Sequence, residues 1–234
     1  MALQLRSSVE GRERLLTDVS HELRSPLARM RLAAALAAQP GADAAQQLAR
    51  IELEIAKLDG LIGGILDVAR LESGEVAMQW QAMDLAALLE TIVTDARFAA
   101  QPRGIRIDWS APAEPLSMRG DPHWLGAAIE NVIRNALRFS PERGAVGIAV
   151  QSIAAEYRIT VTDPGPGVPA AELTAIFAPF HRVSTGREAS GGGAGLGLAI
   201  AARVVRAYGG RILAERAEPG LRVMLSLPRD KLPR

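Results

Sequence analysis

An antiparallel helical hairpin followed by an α/β sandwich is the fold class that this 234-residue sequence predicts, and three observations carry it. In the first third, apolar residues recur at three- and four-residue steps; a turn-forming stretch cuts that pattern in two; and beyond residue 73 short β-type runs alternate with helical ones. With 48% hydrophobic residues the chain can bury a core of one large or two modest domains. The charges nearly cancel, 27 basic against 26 acidic for a net +1, which argues against nucleic acid as the default partner. Cysteine is absent, so disulfides, thiol catalysis and Cys-built zinc sites are excluded, and three scattered histidines argue against a His-built metal centre. No apolar run approaches the roughly 20 residues of a membrane span, and the N-terminus lacks the design of a signal peptide, so the chain is expected to be soluble as given.

The first helix is expected from Arg14 to about Ala38, where Leu16, Val19, Leu23, Leu27 and Met30 share one face and Ala34 and Ala37 continue it. "QPGAD" at Gln39 to Asp43 is turn chemistry, after which Leu48, Ile51, Ile55, Leu58, Ile62 and Ile65 repeat in heptad steps. Two helices cannot cover both stripes, so the hairpin is expected to dimerise into a four-helix bundle. Gly63 and Gly64 are costly inside a helix, about 1 kcal/mol each relative to alanine, and imply a bend or tight packing. The texture changes at "LESGE", Leu71 to Glu75, which places a domain boundary there. Strands are expected at Ile105 to Trp109, Ala145 to Val150, Tyr157 to Asp163, Arg211 to Glu215 and Leu221 to Leu227. Helices are expected near Asp84 to Ala99, Pro122 to Phe139 and Leu196 to Ala207, and the alternation predicts helices on one face of a mixed sheet.

Five short stretches carry the candidate chemistry. In "SHELRSPL", Ser20 to Leu27, His21 falls off the apolar stripe with Glu22 beside it and Ser25 one turn on. An exposed imidazole with a neighbouring carboxylate can be held in one tautomer and relieved of a proton as it attacks an electrophile, although an ordinary surface histidine looks the same. In "ENVIRNALRFS", Glu130 to Ser140, Asn131 and Asn135 share a helix face with Arg138 following. Their carbonyls suit a Mg²⁺ shell completed by phosphate oxygens that the arginine would neutralise; capping or packing is the other reading. "DPGPG", Asp163 to Gly167, follows a strand, so backbone can approach a ligand and the carboxylate can accept from an exocyclic amine, where a plain turn would serve as well. "SGGGAGLGLAI", Ser190 to Ile200, is a glycine run opening onto a helix, a phosphate-wrapping pattern that is nonspecific alone and lacks the context of a dinucleotide fingerprint. Between these, Ile176 to Ser190 has the composition of a mobile lid.

Taken in order, the five stretches resemble the H-, N-, first glycine, F- and second glycine boxes of the cytoplasmic core of two-component sensor histidine kinases, Cpx-type envelope-stress sensors in particular. The resemblance covers the whole chain and implies a dimerisation and phosphotransfer hairpin ahead of a Bergerat-type ATP-binding sandwich. It divides the chain into the end of a signalling helix at 1–13, the hairpin at 14–73 and the ATP-binding domain at 74–234. It makes His21 the phosphoacceptor, Glu22 its activating acid and Asn135 the Mg²⁺ ligand, with Asn131 as companion. Arg138 becomes the phosphate contact, Asp163 the reader of the adenine amine, and Gly165 and Gly167 the close-approach glycines. Gly193, Gly195, Leu196 and Gly197 become the phosphate loop and lid hinge. Pro26 is expected to loosen or bend the helix just beyond His21.

The resemblance implies a homodimer that uses ATP and Mg²⁺ to phosphorylate His21 and hands the phosphoryl group to the receiver domain of a response regulator. Ser25 stands where the family usually has threonine, keeping the hydroxyl for a phosphatase reaction but losing β-branched stiffness. Related ATPases place a water-activating glutamate where this chain has Asn131, and Glu130 should project about 100° away, which argues for little intrinsic hydrolysis. The rival readings are a Bergerat-fold ATPase and a silent scaffold or phosphatase-only module. His123 and His181 match no catalytic position. By analogy, the chain is expected to be the cytoplasmic part of an inner-membrane sensor.

Overall fold

The computed structural model describes residues 2–39, 43–73, 77–183 and 193–229, with side chains from residue 17 onward in the first helix. Helix α1 (Ala2–Ala37) and helix α2 (Ala44–Ser73) form the hairpin. The expected helix and the signalling segment before it are thus one continuous helix. That helix passes through Pro26, whose missing N–H leaves one turn without its backbone bond but whose ring is buried. The chain ties the two helices together 25 residues apart, through Arg29 of α1 and Glu54 of α2. The turn at 40–42 and the junction at 74–76 lie outside the described residues.

The buried line of α2 is Gln47, Glu54, Leu61 and Val68, one residue per heptad. The neighbouring line, expected as bundle core, remains open in the single chain: Leu48, Ile55 and Ile62 are 58%, 46% and 47% exposed.

The second unit is built on a five-stranded mixed sheet. Strands β2 (Arg106–Ser110), β4 (Ala145–Ile153), β5 (Glu156–Asp163), β7 (Leu221–Pro228) and β6 (Arg211–Arg216) lie in that spatial order. Only β2 and β4 pair in parallel. Alternate residues of β5 are buried, Tyr157, Ile159, Val161 and Asp163, and those of β7 match them with Leu221, Val223, Leu225 and Leu227. Helices α3 (Leu85–Ala100), α4 (Pro122–Phe139) and α5 (Gly197–Ala207) pack on this sheet. Two short strands that the sequence pattern does not predict, β1 (Gln81–Asp84) and β3 (Ser117–Gly120), form a separate antiparallel pair. Neither is rich in β-branched residues, and four residues are too few to show a period.

Helix α4 carries the core on one face and the candidate site on the other. Asp121 caps it, accepting from the backbone N–H of His123 at 3.0 Å and Trp124 at 3.3 Å, and Pro122 pre-sets the first turn. Leu125, Ile129, Val132 and Ile133 are almost wholly buried, each contributing about 1.5–3 kcal/mol of burial. At the other end, the Arg103 guanidinium donates to the carbonyl of Leu137 at 2.7 Å and to that of Ser140, covering orphan acceptors with a cation that also suits the helix dipole. The helix is therefore fixed at both ends.

Candidate functional site

On the free side of α4, Asn131, Asn135 and Arg138 are half-buried, whereas Glu130 and Arg134 are exposed. The Asn131 amide is engaged twice within its own helix: Nδ2 donates to the carbonyl of Ala127 at 2.9 Å, and Oδ1 accepts from Arg134 at 2.9 Å. That Oδ1 lies 2.8 Å from where a Cβ on Gly197 would sit, so glycine lets α5 begin against it without displacing the amide. Arg138 reaches the same loop four residues earlier, where a Cβ on Gly193 would force its guanidinium to move. Thus Gly193 and Gly197 meet the α4 face that the sequence singled out.

Arg138 stacks on Phe139 with 5.1 Å from guanidinium to ring centroid. Its pKa is lowered by burial and by the nearby charge of Arg182. Two guanidinium groups held close beside a glycine loop make a natural anion site. Arg182 lies near this face although the motifs assign it no role; its signal in the sequence is a basic residue two places after Phe180. The expected lid spans 176–190, of which 184–190 lie outside the described residues. The two sides of that gap are nonetheless joined, because the Phe180 N–H donates to the Gly195 carbonyl at 3.1 Å.

Asp163 ends β5 with only 4% of its surface exposed. Burial pushes its carboxyl up to about 6, against the opposing effect of backbone N–H groups of Gly165 and Leu221. The Gly165 N–H donates to Oδ1 at 2.9 Å. A Cβ on Gly165 would stand 2.6 Å from that oxygen and 2.7 Å from the Phe139 carbonyl, which requires glycine there. Gly167 packs against Gly220 of the β6–β7 turn.

His21 is exposed on α1, Glu22 is half-buried beside it and Ser25 is exposed one turn on, in keeping with their place off the apolar stripe. Counting from the Arg29–Glu54 tie, His21 lies eight residues, about 12 Å, along the hairpin, level with Ile62 on α2. Just there α5 docks. The Leu196 side chain lies 3.0 Å from the Cβ position of Gly64, and Ile200 is close behind at 3.7 Å. Further along, Arg203 Nε donates to Glu72 at 3.1 Å. Leu196, Ile200 and Arg203 form one stripe of α5, so the end of the glycine loop rests on α2 at the height of the histidine. Gly64 therefore serves tight packing, whereas a Cβ on Gly63 would meet nothing within 4 Å.

His123 is exposed and edge-on to Trp124, and His181 contacts Glu172 at 3.1 Å; neither belongs to this constellation. Among the described residues no group of three or more histidines or carboxylates could hold a metal ion. Asn135 could hold Mg²⁺ together with phosphate oxygens.

Residues 11–74 match the model of the His kinase A (phospho-acceptor) domain, and residues 120–231 that of the histidine kinase-, DNA gyrase B- and HSP90-like ATPases. The chain is 35% identical over 229 residues to the sensor histidine kinase CpxA of Escherichia coli (strain K12), covering 97% of this chain and 49% of that one. It spans about half the length of the curated relatives it matches. Among solved structures it is similar to full-length ShkA in complex with AMPPNP, 28% identical with a TM-score of 0.68 over 92% of this chain and 45% of that one. It shares its fold with the histidine kinase ThkA in complex with the response regulator TrrA, TM-score 0.75 at 19% identity, over 97% and 66% of the two chains. A phosphoacceptor-type hairpin joined to an ATPase-type sandwich, similar along nearly its whole length to such kinases, means that the chain belongs to the sensor histidine kinase family.

Proposed function

We propose that the chain is the kinase core of a longer inner-membrane sensor, acting in the cytoplasm as a homodimer. ATP binds with its adenine at Asp163 and its phosphates between the α4 face and the glycine loop, near Arg138 and Arg182. Mg²⁺, shared by Asn135 and the phosphates, would neutralise charge on them. The His21 imidazole attacks the γ-phosphorus, the bond to the bridging oxygen breaks, ADP leaves, and Glu22 takes the imidazole proton. The phosphoryl group then passes to an aspartate in the receiver domain of a response regulator, and Ser25 orients a water for the later removal of that phosphate. The working units are 14–73 for the hairpin and 74–234 for ATP binding.

One observation carries the reading: the glycine loop that closes on Asn131 and Arg138 also rests on Gly64, level with His21. Positioning is the main requirement of phosphoryl transfer, and a contact tying the loop to the hairpin supports that reading. The dimer is supported by the exposed Leu48, Ile55 and Ile62 together with Leu27, 46% exposed on α1. Asn131, an amide already engaged at both ends, opposes the simple ATPase reading because it cannot activate water. Quantifying ADP against phosphohistidine separates the two. The kinase reading expects ADP to stop at about one per His21, whereas continued ADP release without phosphohistidine would replace it by the ATPase.

A further inference from the structure

We propose that Arg29 and Glu54 are positioning residues for the phosphatase reaction, locking the Ser25 hydroxyl in one orientation from the opposite helix of the hairpin. The inference rests on the proposed role of Ser25 in orienting water. Serine alone is a poor orienting group, because its exposed hydroxyl can turn among three staggered wells that a β-branched threonine would restrict. In this chain Arg29 Nη1 donates to Ser25 Oγ at 2.5 Å. The same guanidinium is held by α2, with Nε and Nη2 donating to Glu54 Oε2 at 3.0 and 2.8 Å. Glu54 is itself immobilised: its side chain is 9% exposed, and its other oxygen accepts from Lys57 at 2.6 Å.

Glu54 stands on the buried line of α2 that continues as Leu61 and Val68. An apolar residue there would avoid the cost of desolvating a carboxylate, so the charge is explained by what it holds rather than by stability. A guanidinium has no acceptor, so Ser25 must be the acceptor in this contact. The exposed serine keeps its proton and its second lone pair for another partner, one turn from His21, and on this proposal that partner is the water. In the reaction the water oxygen bonds to phosphorus as the bond from phosphorus to the aspartate carboxylate oxygen breaks. The electron pair leaves with the carboxylate, the water proton passes to solvent, and inorganic phosphate is released. The arginine fork thus supplies the stiffness that the missing β-methyl would have supplied.

The test uses the receiver domain to which the wild-type protein transfers its phosphoryl group, loaded with acetyl phosphate, and follows phosphate release. The proteins compared are the wild type and the Ser25→Ala, Arg29→Ala, Glu54→Gln and Arg29→Ala/Ser25→Thr variants. Arg29→Ala and Glu54→Gln should slow release on the order of tenfold, the scale of misorientation at a reacting centre, while phosphorylation of His21 from ATP changes less than about twofold. Ser25→Thr in the Arg29→Ala background should restore most of the rate. If Ser25→Ala loses release but Arg29→Ala and Glu54→Gln keep it, the clamp is wrong and Ser25 stands. If Ser25→Ala releases phosphate as the wild type does, or the wild type releases none, the reading of Ser25 falls and the proposal with it. If Arg29→Ala lowers both reactions alike and threonine does not rescue, the pair is merely structural and the proposal is overturned.

Discussion

Asp163, proposed to read the adenine amine, sits in a strongly perturbing environment. Its carboxyl is raised to about 6 because it is buried at the end of β5, not because of a neighbouring charge. An acid raised in the folded state holds its proton there when the unfolded chain has already lost it. Unfolding free energy should therefore fall as pH rises from about 4 to about 6, and level off above. For ligand binding the sign reverses, since an adenine amine donates most strongly to the ionised carboxylate. ADP affinity, measured by calorimetry, should rise on the order of tenfold between about pH 5 and about pH 7 as the ionised fraction grows. Asp163→Asn serves as the control, carrying any titration of the nucleotide itself; it should bind more weakly and lose the excess dependence. An identical pH profile in both proteins would remove Asp163 from the adenine site.

Between elements, the contact of α5 with α2 links the nucleotide loop to the hairpin. It depends on Gly64, where a larger side chain would strike Leu196, and the Arg203–Glu72 ion pair closes its far end. Gly64→Leu should raise amide hydrogen exchange across Leu196–Arg203 by about tenfold or more, because local opening responds to each 1.4 kcal/mol with a factor of ten. Gly63→Leu, at a position whose Cβ meets nothing within 4 Å, should not. Equal effects from the two would contradict the docking.

The elements also mark what sequence could reveal. Helix α4 was legible end to end because Asp121 and Pro122 announce its start and its apolar period is clean. Gly165, Gly193 and Gly197 stood out in the sequence as places for close approach to a ligand, while their approach to Phe139, Arg138 and Asn131 is visible only in the fold. The β1–β3 pair was not legible, as its register joins residues about 35 apart with no turn signature between them. Nor was the Arg29–Glu54 tie: periodicity names helix faces but does not say which polar side chains meet across a hairpin. Gly64 was flagged as costly, and only the neighbouring Leu196 explains why the cost is tolerated.

For the whole molecule, an uncovered stripe and a docked loop define the arrangement. The hairpin leaves Leu48, Ile55 and Ile62 open, a stripe suited to a second copy and to a four-helix bundle. The sandwich packs its glycine loop against Asn131 and Arg138 and rests the end of that loop, at Leu196, on Gly64 of the hairpin. On the proposed reading neither half suffices: the hairpin would supply the nucleophile and the sandwich the nucleotide, beside Asn131, an amide that cannot activate water. Joined, they make a molecule whose expected product is a phosphorylated imidazole on itself. The most direct measurement is incubation with Mg²⁺ and ATP labelled in the γ-phosphate, for the wild-type protein beside His21→Ala. Autophosphorylation on His21 predicts label on the wild type that is lost in acid, survives alkali, and is absent from the variant. Equal labelling of His21→Ala, or an unlabelled wild type that binds ATP, would contradict it.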